Sequence, residues 1–541
     1  MGVVVPSRHQ AALPASMILT DKPHDEAIEL DVLIVGAGPA GLACAIQLAR
    51  TNPSLAIGVL EKAGALGEHS LSGAVINPVA MRALFPGKPD AEFPFRQRVA
   101  GEAVYYLTAQ GSTRIPTPPT MKNHGNFTAS LCEVVRWLGE QAEALGINIF
   151  PGFPAASLLV DGSRVIGVRT VPGGLDREGN PTDVFTEPTD LTARVIVLAE
   201  GTRGALAQAW RDWQHVSSPN PQIFALGVKE VWEVAKPLDR VIHTMGWPLP
   251  STVFGGSWCY PMGPNQVSIG LVAGLDYHAA AFDVHESLQR MKLHPLFRDV
   301  LTGGTMVEWG AKTIPEGGYY AIPDRLSGDG LMMIGDTAGF VDVPSLKGIH
   351  YAMESGMLAA STIVTALGTA GAASAAVLAP YDAAVRGSSI GHDLHVTRNM
   401  RLGFKDGFWR GAFKAGLMTL SRGALPGGRI EMPADADAPR ESGAPEPFVP
   451  DNVLTFSKVD AVFKSGNATR DSIPSHLIIG RDISGEVADF YAHLCPAGVY
   501  ERDGDTVRVN PPNCVDCKAT DVLGPRWTPR EGGSGPTYRL M

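Results

Sequence analysis

A strand–helix–strand pattern near the start of the 541-residue chain restricts its fold more than any other feature. Residues 31–36 (DVLIVG) form an apolar, β-branched run, which is typical of a buried parallel strand. A helical pattern covers residues 39–50, and a second apolar run over residues 57–60 ends at Glu61. This order predicts a βαβ unit of the Rossmann type.

Three glycines fill the turn between strand and helix, in the pattern Gly36-x-Gly38-x-x-Gly41. Gly36 permits the tight turn, Gly38 lets a pyrophosphate approach the backbone, and Gly41 allows close packing of the helix on the strand. The helix N-terminus offers free amides to phosphates, and Glu61 can accept hydrogen bonds from an adenosine ribose. Because strand, helix and acid occur together, the pattern predicts dinucleotide binding rather than a tight turn alone.

A later segment favours FAD over NAD as the dinucleotide. Residues 335–339 (GDTAG) follow the apolar run 331–334 and precede a helical pattern, so Gly335 and Asp336 are predicted to contact the ribityl chain or pyrophosphate. Arg203 follows another predicted strand and is predicted to contact the cofactor. The alternative for Asp336 is a simple helix N-cap. Since the sequence contains no second full GxGxxG pattern, it does not support a separate NAD(P)H site.

Composition excludes several classes of protein. Hydrophobic residues make up 45% and charged residues 18%, as in ordinary globular domains. The formal net charge of -10 argues against a nucleic-acid binder. The longest uncharged stretch, residues 357–380, is interrupted by Gly368 and Gly371 and predicts packed helices rather than a membrane span.

Three of the six cysteines lie near the C-terminus, which suggests a reducing compartment and a metal or iron–sulfur site. Cys514 and Cys517 have the x₂ spacing with which one loop binds neighbouring irons, and Cys495 can complete the site. Zinc would use a similar geometry, and a structural CxxC or reduced core thiols would also account for the pattern. Thr520 stands where a CxxCxxC run would place its next cysteine.

Residues 398–422 mix cations with aromatic and apolar side chains near helical spacing. Such a pattern suits an interfacial helix lying on a membrane, and it suits an ordinary surface helix equally well.

The sequence predicts an α/β, multi-domain protein. A β-rich stretch from Ile223 to Leu275 predicts a separate sheet, and a Pro-, Ala- and acid-rich stretch predicts a linker. The predicted divisions are a flexible N-terminal extension (1–29), the first part of an FAD domain (30–215), a substrate domain (216–330), the return of the FAD domain with the surface helix (331–432), a linker (433–450) and a C-terminal domain (451–541).

From Asp31 to Met541 the chain resembles the electron-transfer flavoprotein:ubiquinone oxidoreductase family. The resemblance is carried by unusual strings in a fixed order: DVLIVGAGPAGL, GEHSLSGAVINP, NHGNF, WLGEQAEALG, HTMGWPL, FGGSWCY, GLDY, VPSLKGIHYAMESG, RNMR, CPAGVYE and EGGSGP. The resemblance implies a Rossmann-like FAD domain, an inserted β-rich quinone domain and a C-terminal ferredoxin-like domain. It also implies electron-transfer flavoprotein and ubiquinone as partners and no nucleic acid.

The resemblance further implies site residues. FAD contacts are expected from Lys62, Ser72, Gly73 and Gly348, besides the residues of the two motifs. Quinone contacts are expected from Phe254, Gly255 and Gly256, with Phe254 in place of the family's tyrosine. No acid–base catalytic residue is expected. A peripheral position on the cytoplasmic face of a bacterial inner membrane is expected, the alternative being the matrix face of the mitochondrial inner membrane.

In the family the cluster ligands are four cysteines, and their positions correspond here to Cys495, Cys514, Cys517 and Thr520. Because a hydroxyl is a poorer iron ligand than a thiolate, three outcomes stay open. They are a 4Fe–4S cluster completed by Thr520, Asp521 or water, a 3Fe–4S cluster, or none; a bound cluster is expected. Two different functions also stay open: an FAD-dependent double-bond reductase (geranylgeranyl-reductase-like) or monooxygenase, and a cluster-free docking or regulatory protein at the membrane surface.

Overall fold

A nine-stranded sheet carries the predicted Rossmann unit in the computed structural model, which describes residues 2–368 and 373–541. Five neighbouring strands run parallel, as expected of strands buried on both faces. In spatial order these five are Asn148–Pro151, Ile57–Glu61, Ile28–Val35, Asp190–Leu198 and Leu331–Met333. The remaining strands of the sheet are Arg164–Thr170, Ala155–Asp161, Ile18–Leu19 and Ser327–Gly328.

Two helices pack together against the parallel strands because small residues line their contact. Pro39–Thr51 follows the glycine turn, and Ile349–Gly368 follows the GDTAG segment. A Cβ on Gly356 would lie 2.3 Å from the carbonyl oxygen of Ala40, so only glycine permits this approach. The other helices of this half are Val79–Leu84, Leu131–Glu143, Ala205–Trp213, Ala375–Leu378, Pro380–Gly387 and Ser389–Thr397.

A second, seven-stranded sheet contains the β-rich stretch predicted after residue 223. Its strands, in spatial order, are Thr305–Pro315, Phe224–Glu233, Gln266–Gly274, Gly255–Pro261, Val241–Gly246, Glu102–Leu107 and Ser112–Ile115. The sequence-based boundary that assigns residues 102–115 to the first part of the FAD domain is wrong. The strand Glu102–Leu107 instead pairs in parallel with Val241–Gly246. Helices Val284–Lys292 and Pro295–Leu301 contribute to the core of this half.

The N-terminal segment is packed rather than flexible, so the prediction for residues 1–29 is wrong over residues 2–19. Val3–Val4 pairs with Arg440–Glu441, and Ile18–Leu19 adds a parallel strand to the nine-stranded sheet. The side chains of Val4 and Met17 are buried. Strand pairing and apolar burial together fix this segment.

The predicted linker, residues 433–450, is docked over its first half. The Arg440 guanidinium is fully buried and donates to the carbonyls of Leu275, Asp435 and Ala438. Asp435 in turn accepts a hydrogen bond from the Phe224 amide at 2.7 Å. Residues 443–447 are exposed.

The C-terminal segment is built from short elements placed against the seven-stranded sheet. The amide of Thr313 donates to the carbonyl of Cys517 at 2.9 Å, which joins the two units directly. The segment contains helices Lys458–Phe463, Gly485–Leu494 and Ala519–Leu523 and strand pairs Leu477–Ile478 with Arg526–Trp527 and Tyr500–Asp503 with Thr506–Val509.

Three smaller features complete the fold. A three-stranded sheet is formed by Val75–Ile76, Phe127–Thr128 and Gln97–Arg98, a hairpin by Gly173–Leu175 and Pro181–Thr186, and a surface helix by Phe408–Leu420. Within the described residues, none of the helices has both the length and the apolar character required to cross a bilayer. The predicted break at Gly371 lies outside the described residues.

Candidate functional site

A cavity of about 1030 Å³ lies where the two large sheets face each other. Its walls include Val35, Leu60 and Ala199 from the nine-stranded sheet and its following turns. Gly227 and Val272 of the seven-stranded sheet line the cavity as well. A cofactor held by one sheet is therefore presented to a substrate held by the other.

The glycine turn forms one end of this cavity, and each glycine has a separate structural reason. Gly36 has φ +113°, and a Cβ there would lie 2.3 Å from the carbonyl oxygen of Ala199. A Cβ on Gly41 would lie 2.0 Å from the carbonyl oxygen of Gly36. Gly38 lines the cavity, and a Cβ there would meet no atom within 4 Å. Gly36 and Gly41 are thus required by packing, whereas Gly38 leaves room for a ligand.

The helix that follows is suited to bind phosphate. Gly38 is the N-cap of Pro39–Thr51, and no side chain caps the helix there. Its first amides are therefore available to an anion at the positive end of the helix dipole. The Glu61 carboxylate also lines the cavity and is held by the amides of Ala37 (3.1 Å) and Ala63 (2.9 Å). Each of its oxygens keeps lone pairs for a ribose hydroxyl.

In the GDTAG segment, Gly335 packs against a helix, whereas Asp336 faces the cavity. Asp336 lines the cavity, and burial raises the pKa of its carboxyl group to about 6. Gly335 is not among the lining residues: it has φ +63°, and a Cβ there would lie 2.9 Å from the Cβ of Ala40. The expected cofactor contact at Gly335 is therefore replaced by close packing against the phosphate-side helix. Gly348, another predicted FAD contact, lines the cavity.

Arg203 does not line the cavity, contrary to the prediction. Its guanidinium lies 2.6 Å from the buried Asp521 carboxylate and 5.3 Å from the Phe224 ring centroid. A buried carboxylate needs such a partner, and this requirement fixes the arginine away from the cofactor side.

Lys62, Ser72 and Gly73, for which the resemblance implies FAD contacts, all line the cavity. The Lys62 ammonium also contacts His69 and lies 2.5 Å from the Asp516 carboxylate of the C-terminal segment. Lys62 thus connects the predicted cofactor cavity to the segment that carries the cysteines.

Sequence reasoning missed Lys312, a cation in the cavity wall. Its ammonium donates to the carbonyl of Asp516 at 3.2 Å, and burial lowers its pKa to about 7. The available signal was a single lysine in the otherwise mostly apolar strand Thr305–Pro315. A buried cation at this position favours a ligand that carries negative charge.

At the other end of the cavity, Phe254, Gly255 and Gly256 line the wall together. A Cβ on Gly255 would lie 2.1 Å from the carbonyl oxygen of Val272, so the strand requires glycine there. The Phe254 ring lies 4.1 Å from the guanidinium of Arg401. The structure therefore brings the three predicted quinone contacts to one site.

Arg401 is itself buried and held by two carboxylates, Asp276 at 2.9 Å and Glu316 at 2.6 Å. This network anchors the Phe254 ring from one side, and the Phe404 ring packs against it at 4.9 Å between centroids.

The surface helix Phe408–Leu420 borders the same end of the cavity. Its outer face exposes Trp409 (68%), Phe413 (69%) and Leu420 (85%) to solvent. Trp409 also lies against Tyr106 with ring centroids 5.6 Å apart. One helix therefore lines the cavity and also presents apolar side chains to solvent.

Cys495, Cys514, Cys517 and Thr520 line one small second cavity, so the structure brings all four predicted positions together. The side chains are buried, and burial raises the pKa of the Cys514 thiol to about 12. The Thr520 hydroxyl lies 3.4 Å from the hydroxyl of Tyr500. Three thiols converging on one shielded space suit an iron–sulfur cluster, which is bound by thiolates.

Lys518 and Trp527 line both cavities. The Lys518 ammonium lies 4.4 Å from the centroid of the Trp527 ring, so the two side chains form a shared wall. Two redox groups bound in these cavities would be separated chiefly by the side chains of Lys518 and Trp527.

Comparison with known proteins identifies the family. The profile described as "ETF-QO, ubiquinone-binding" matches residues 224–314, and that described as "Electron transfer flavoprotein-ubiquinone oxidoreductase, 4Fe-4S" matches residues 452–539. The mitochondrial electron transfer flavoprotein-ubiquinone oxidoreductase of Arabidopsis thaliana is 36% identical, covering 98% of this chain and 87% of the relative. The chain belongs to the electron transfer flavoprotein-ubiquinone oxidoreductase family.

Other members of this family are similar to the chain over nearly its whole length. The probable enzyme of Schizosaccharomyces pombe is 38% identical over 95% of this chain and 86% of its own length. The human enzyme is 34% identical over 95% of this chain and 89% of its own length. A profile of the Thi4 family also matches residues 18–83, which contain the glycine turn.

Among solved structures, a geranylgeranyl bacteriochlorophyll reductase-like protein from Thermoplasma acidophilum is similar with a TM-score of 0.54 and 18% identity. The match covers 74% of this chain and 89% of that protein. At this identity the likeness shows the fold alone, and it confirms the predicted α/β class.

Proposed function

We propose that this chain accepts electrons from reduced electron-transfer flavoprotein and reduces ubiquinone, with FAD in the large cavity and an iron–sulfur cluster in the small one. One observation carries the proposal: the large cavity joins the glycine turn to the Phe254–Gly256 site and shares a wall with the cysteine cavity. FAD, when bound, supplies a redox centre that takes electrons singly and releases them in pairs.

The cofactor side of the cavity is built for a dinucleotide. The amides after Gly38 would hold the pyrophosphate, and Glu61 and Asp336 would accept hydrogen bonds from hydroxyl groups of the cofactor. Lys518, which is buried, and Lys312, which is partly buried, lie in the same wall, and in their protonated forms they would stabilise negative charge on the cofactor.

The quinone side is suited to receive a flat ring. Gly255 and Gly256 let the ring approach the backbone, while Phe254, fixed by Arg401, supplies an aromatic face. Phe254 stands where the family has a tyrosine, so this position offers no hydroxyl group. Recognition of the quinone would therefore depend on backbone contacts and on the shape of the cavity.

Membrane attachment belongs to the same proposal. The exposed Trp409, Phe413 and Leu420 lie on the helix that borders the quinone end of the cavity. Such a helix supports an in-plane interfacial position, which would admit a lipid-soluble quinone directly. We propose peripheral attachment to the cytoplasmic face of a bacterial inner membrane, with the mitochondrial matrix face as the alternative.

The proposal is tested with the FAD-loaded chain, reduced electron-transfer flavoprotein and a short-chain ubiquinone. Reoxidation of the flavoprotein that requires both the chain and the quinone is the expected result. Oxygen-dependent hydroxylation or alkene reduction in place of quinone reduction would support a reductase or monooxygenase function. Binding of the flavoprotein without any electron transfer would support a docking function.

A further inference from the structure

We infer that the cluster of this chain is a three-iron 3Fe–4S cluster, bound by Cys495, Cys514 and Cys517, and that Thr520 is not an iron ligand. The inference rests on the proposed function only in assuming that the small cavity holds an iron–sulfur cluster.

The thiolate count is the first argument. Residues 452–539 match a profile described for a 4Fe–4S domain, yet they contain three cysteines, all of which line the small cavity. The remaining cysteines are fixed in core elements elsewhere. Cys44 is in Pro39–Thr51, Cys132 in Leu131–Glu143 and Cys259 in Gly255–Pro261, each 0% exposed. A fourth thiolate is therefore not supplied by the chain.

Thr520 is a poor substitute for that thiolate. Its hydroxyl is neutral, and it would have to lose a proton of high pKa to bind iron well. The residue is only 7% exposed, and a buried alkoxide is costly in a low-dielectric surrounding. The hydroxyl already has a neutral partner in Tyr500 at 3.4 Å.

The nearby carboxylates are committed to other partners. Asp521 accepts from the Arg203 guanidinium at 2.6 Å and from the Trp527 amide at 3.0 Å. Asp516 lies 2.9 Å from the Arg530 guanidinium and 2.5 Å from the Lys62 ammonium. Either would have to break a buried ion pair in order to reach iron, and that exchange is unfavourable.

A histidine and water remain as sources of a fourth ligand. Within the part of the chain that the structure describes, neither ring nitrogen of His476 has a hydrogen-bond partner, and its nearest ligating groups are Cys514 and Asp516. The ligating atom of His476 lies within 4.8 Å of the Cys514 Sγ, but His476 is not among the residues lining the small cavity. Bulk water is excluded by the buried Val499, Tyr500 and Trp527. A fourth iron would consequently lack a strong ligand.

The test uses electron paramagnetic resonance on whole cells and on the full chain purified without oxygen. A three-iron cluster gives a spin one-half signal when oxidised, and one-electron reduction removes it. Native mass spectrometry should find three irons and four sulfides beside FAD. A protein silent when oxidised that gains a signal on reduction would overturn the inference, as would a chain that holds FAD but no iron.

Two matched variants test whether residue 520 determines the type of cluster. Thr520→Cys should gain a fourth iron and reverse the pattern of signals. Thr520→Val has nearly the same shape without a hydroxyl, and its cluster should be unchanged in iron content and signal. A change in cluster type or loss of iron in Thr520→Val would show that the hydroxyl binds iron. Flavin content and quinone reduction are measured on the same samples, so that failure of the proposed function is recognised separately.

Discussion

Gly38 and Gly41 lie three residues apart in the glycine turn, but a methyl group added to each should have different consequences. At Gly38 the backbone has φ −79° and ψ −178°, which alanine adopts without strain, and the new Cβ would meet no atom within 4 Å. For Gly38→Ala we expect the free energy of unfolding of the FAD-free protein to stay within about 0.5 kcal/mol of the parent value. The methyl group would occupy space needed by the pyrophosphate.

The loss of FAD affinity can be estimated from the cost of overpacking. Adding a methyl group to a filled site costs roughly 1–3 kcal/mol, which corresponds to a dissociation constant roughly 5- to 150-fold higher. Gly38→Ala is therefore a variant that folds normally and binds FAD weakly.

Gly41→Ala should instead damage the FAD-free protein. Its Cβ would lie 2.0 Å from the Gly36 carbonyl oxygen and 3.1 Å from a methyl group of Ile34. The helix has to move away from the strand by about 1 Å or more, which costs roughly 1–3 kcal/mol of unfolding free energy.

Urea unfolding of the FAD-free variants measures stability, and quenching of flavin fluorescence on titration measures affinity. Equal destabilisation by Gly38→Ala and Gly41→Ala would refute the division between ligand space and packing. So would parental FAD affinity in Gly38→Ala.

Two further predictions concern acid stability and membrane binding. Burial, the largest single effect, would raise the pKa of Asp283, but the Lys458 ammonium 2.6 Å away acts together with His493 and His285, and the pKa falls to about 2. This folded-state pKa is below the ordinary value, so the ionised carboxylate stabilises the fold above about pH 4, and this stabilisation is lost as the pH falls towards 2. Between about pH 6 and 3 the free energy of unfolding of the parent, measured in urea, should fall by roughly 1 kcal/mol more than that of Asp283→Asn. Equal losses in the two proteins would contradict this prediction. Replacing Trp409 and Phe413 with serine should lower cosedimentation with anionic vesicles at least about tenfold. Phe463→Ser, which removes an 84% exposed ring from the C-terminal segment, is the control and should not change binding.

The glycine turn was predictable because its determinants are local. Gly36, Gly38 and Gly41 act through neighbouring backbone atoms and one adjacent strand end, and the strand before them and the helix after them have clear sequence patterns. The cysteine site was predictable in part, because the spacing of Cys514 and Cys517 indicates a shared loop, whereas Cys495 was assigned to the site only as a more distant cysteine near the C-terminus.

The wrong predictions depend on contacts between residues far apart in sequence. The partner of Arg203 is Asp521, which lies 318 residues later, and no local pattern announces such an ion pair. The strand Glu102–Leu107 joins the second sheet by pairing with Val241–Gly246, although two helices and several strands lie between them in the sequence. Lys312 was missed because a buried lysine is explained only by the charges that surround it in three dimensions.

The shared wall and its ion pairs have a practical consequence for protein engineering. Residues 451–541 could not be transferred alone to another flavoprotein as an electron-transfer domain. Asp516 and Asp521 of this segment form ion pairs with Lys62 and Arg203, which belong to the rest of the chain. A graft without these two cations would leave Asp516 with Arg530 and Asp521 with Arg526, which lies 3.7 Å away, and would remove the shortest ion pair of each buried carboxylate. A chimera designed to transfer electrons would have to contain Lys62 and Arg203 as well as the C-terminal segment.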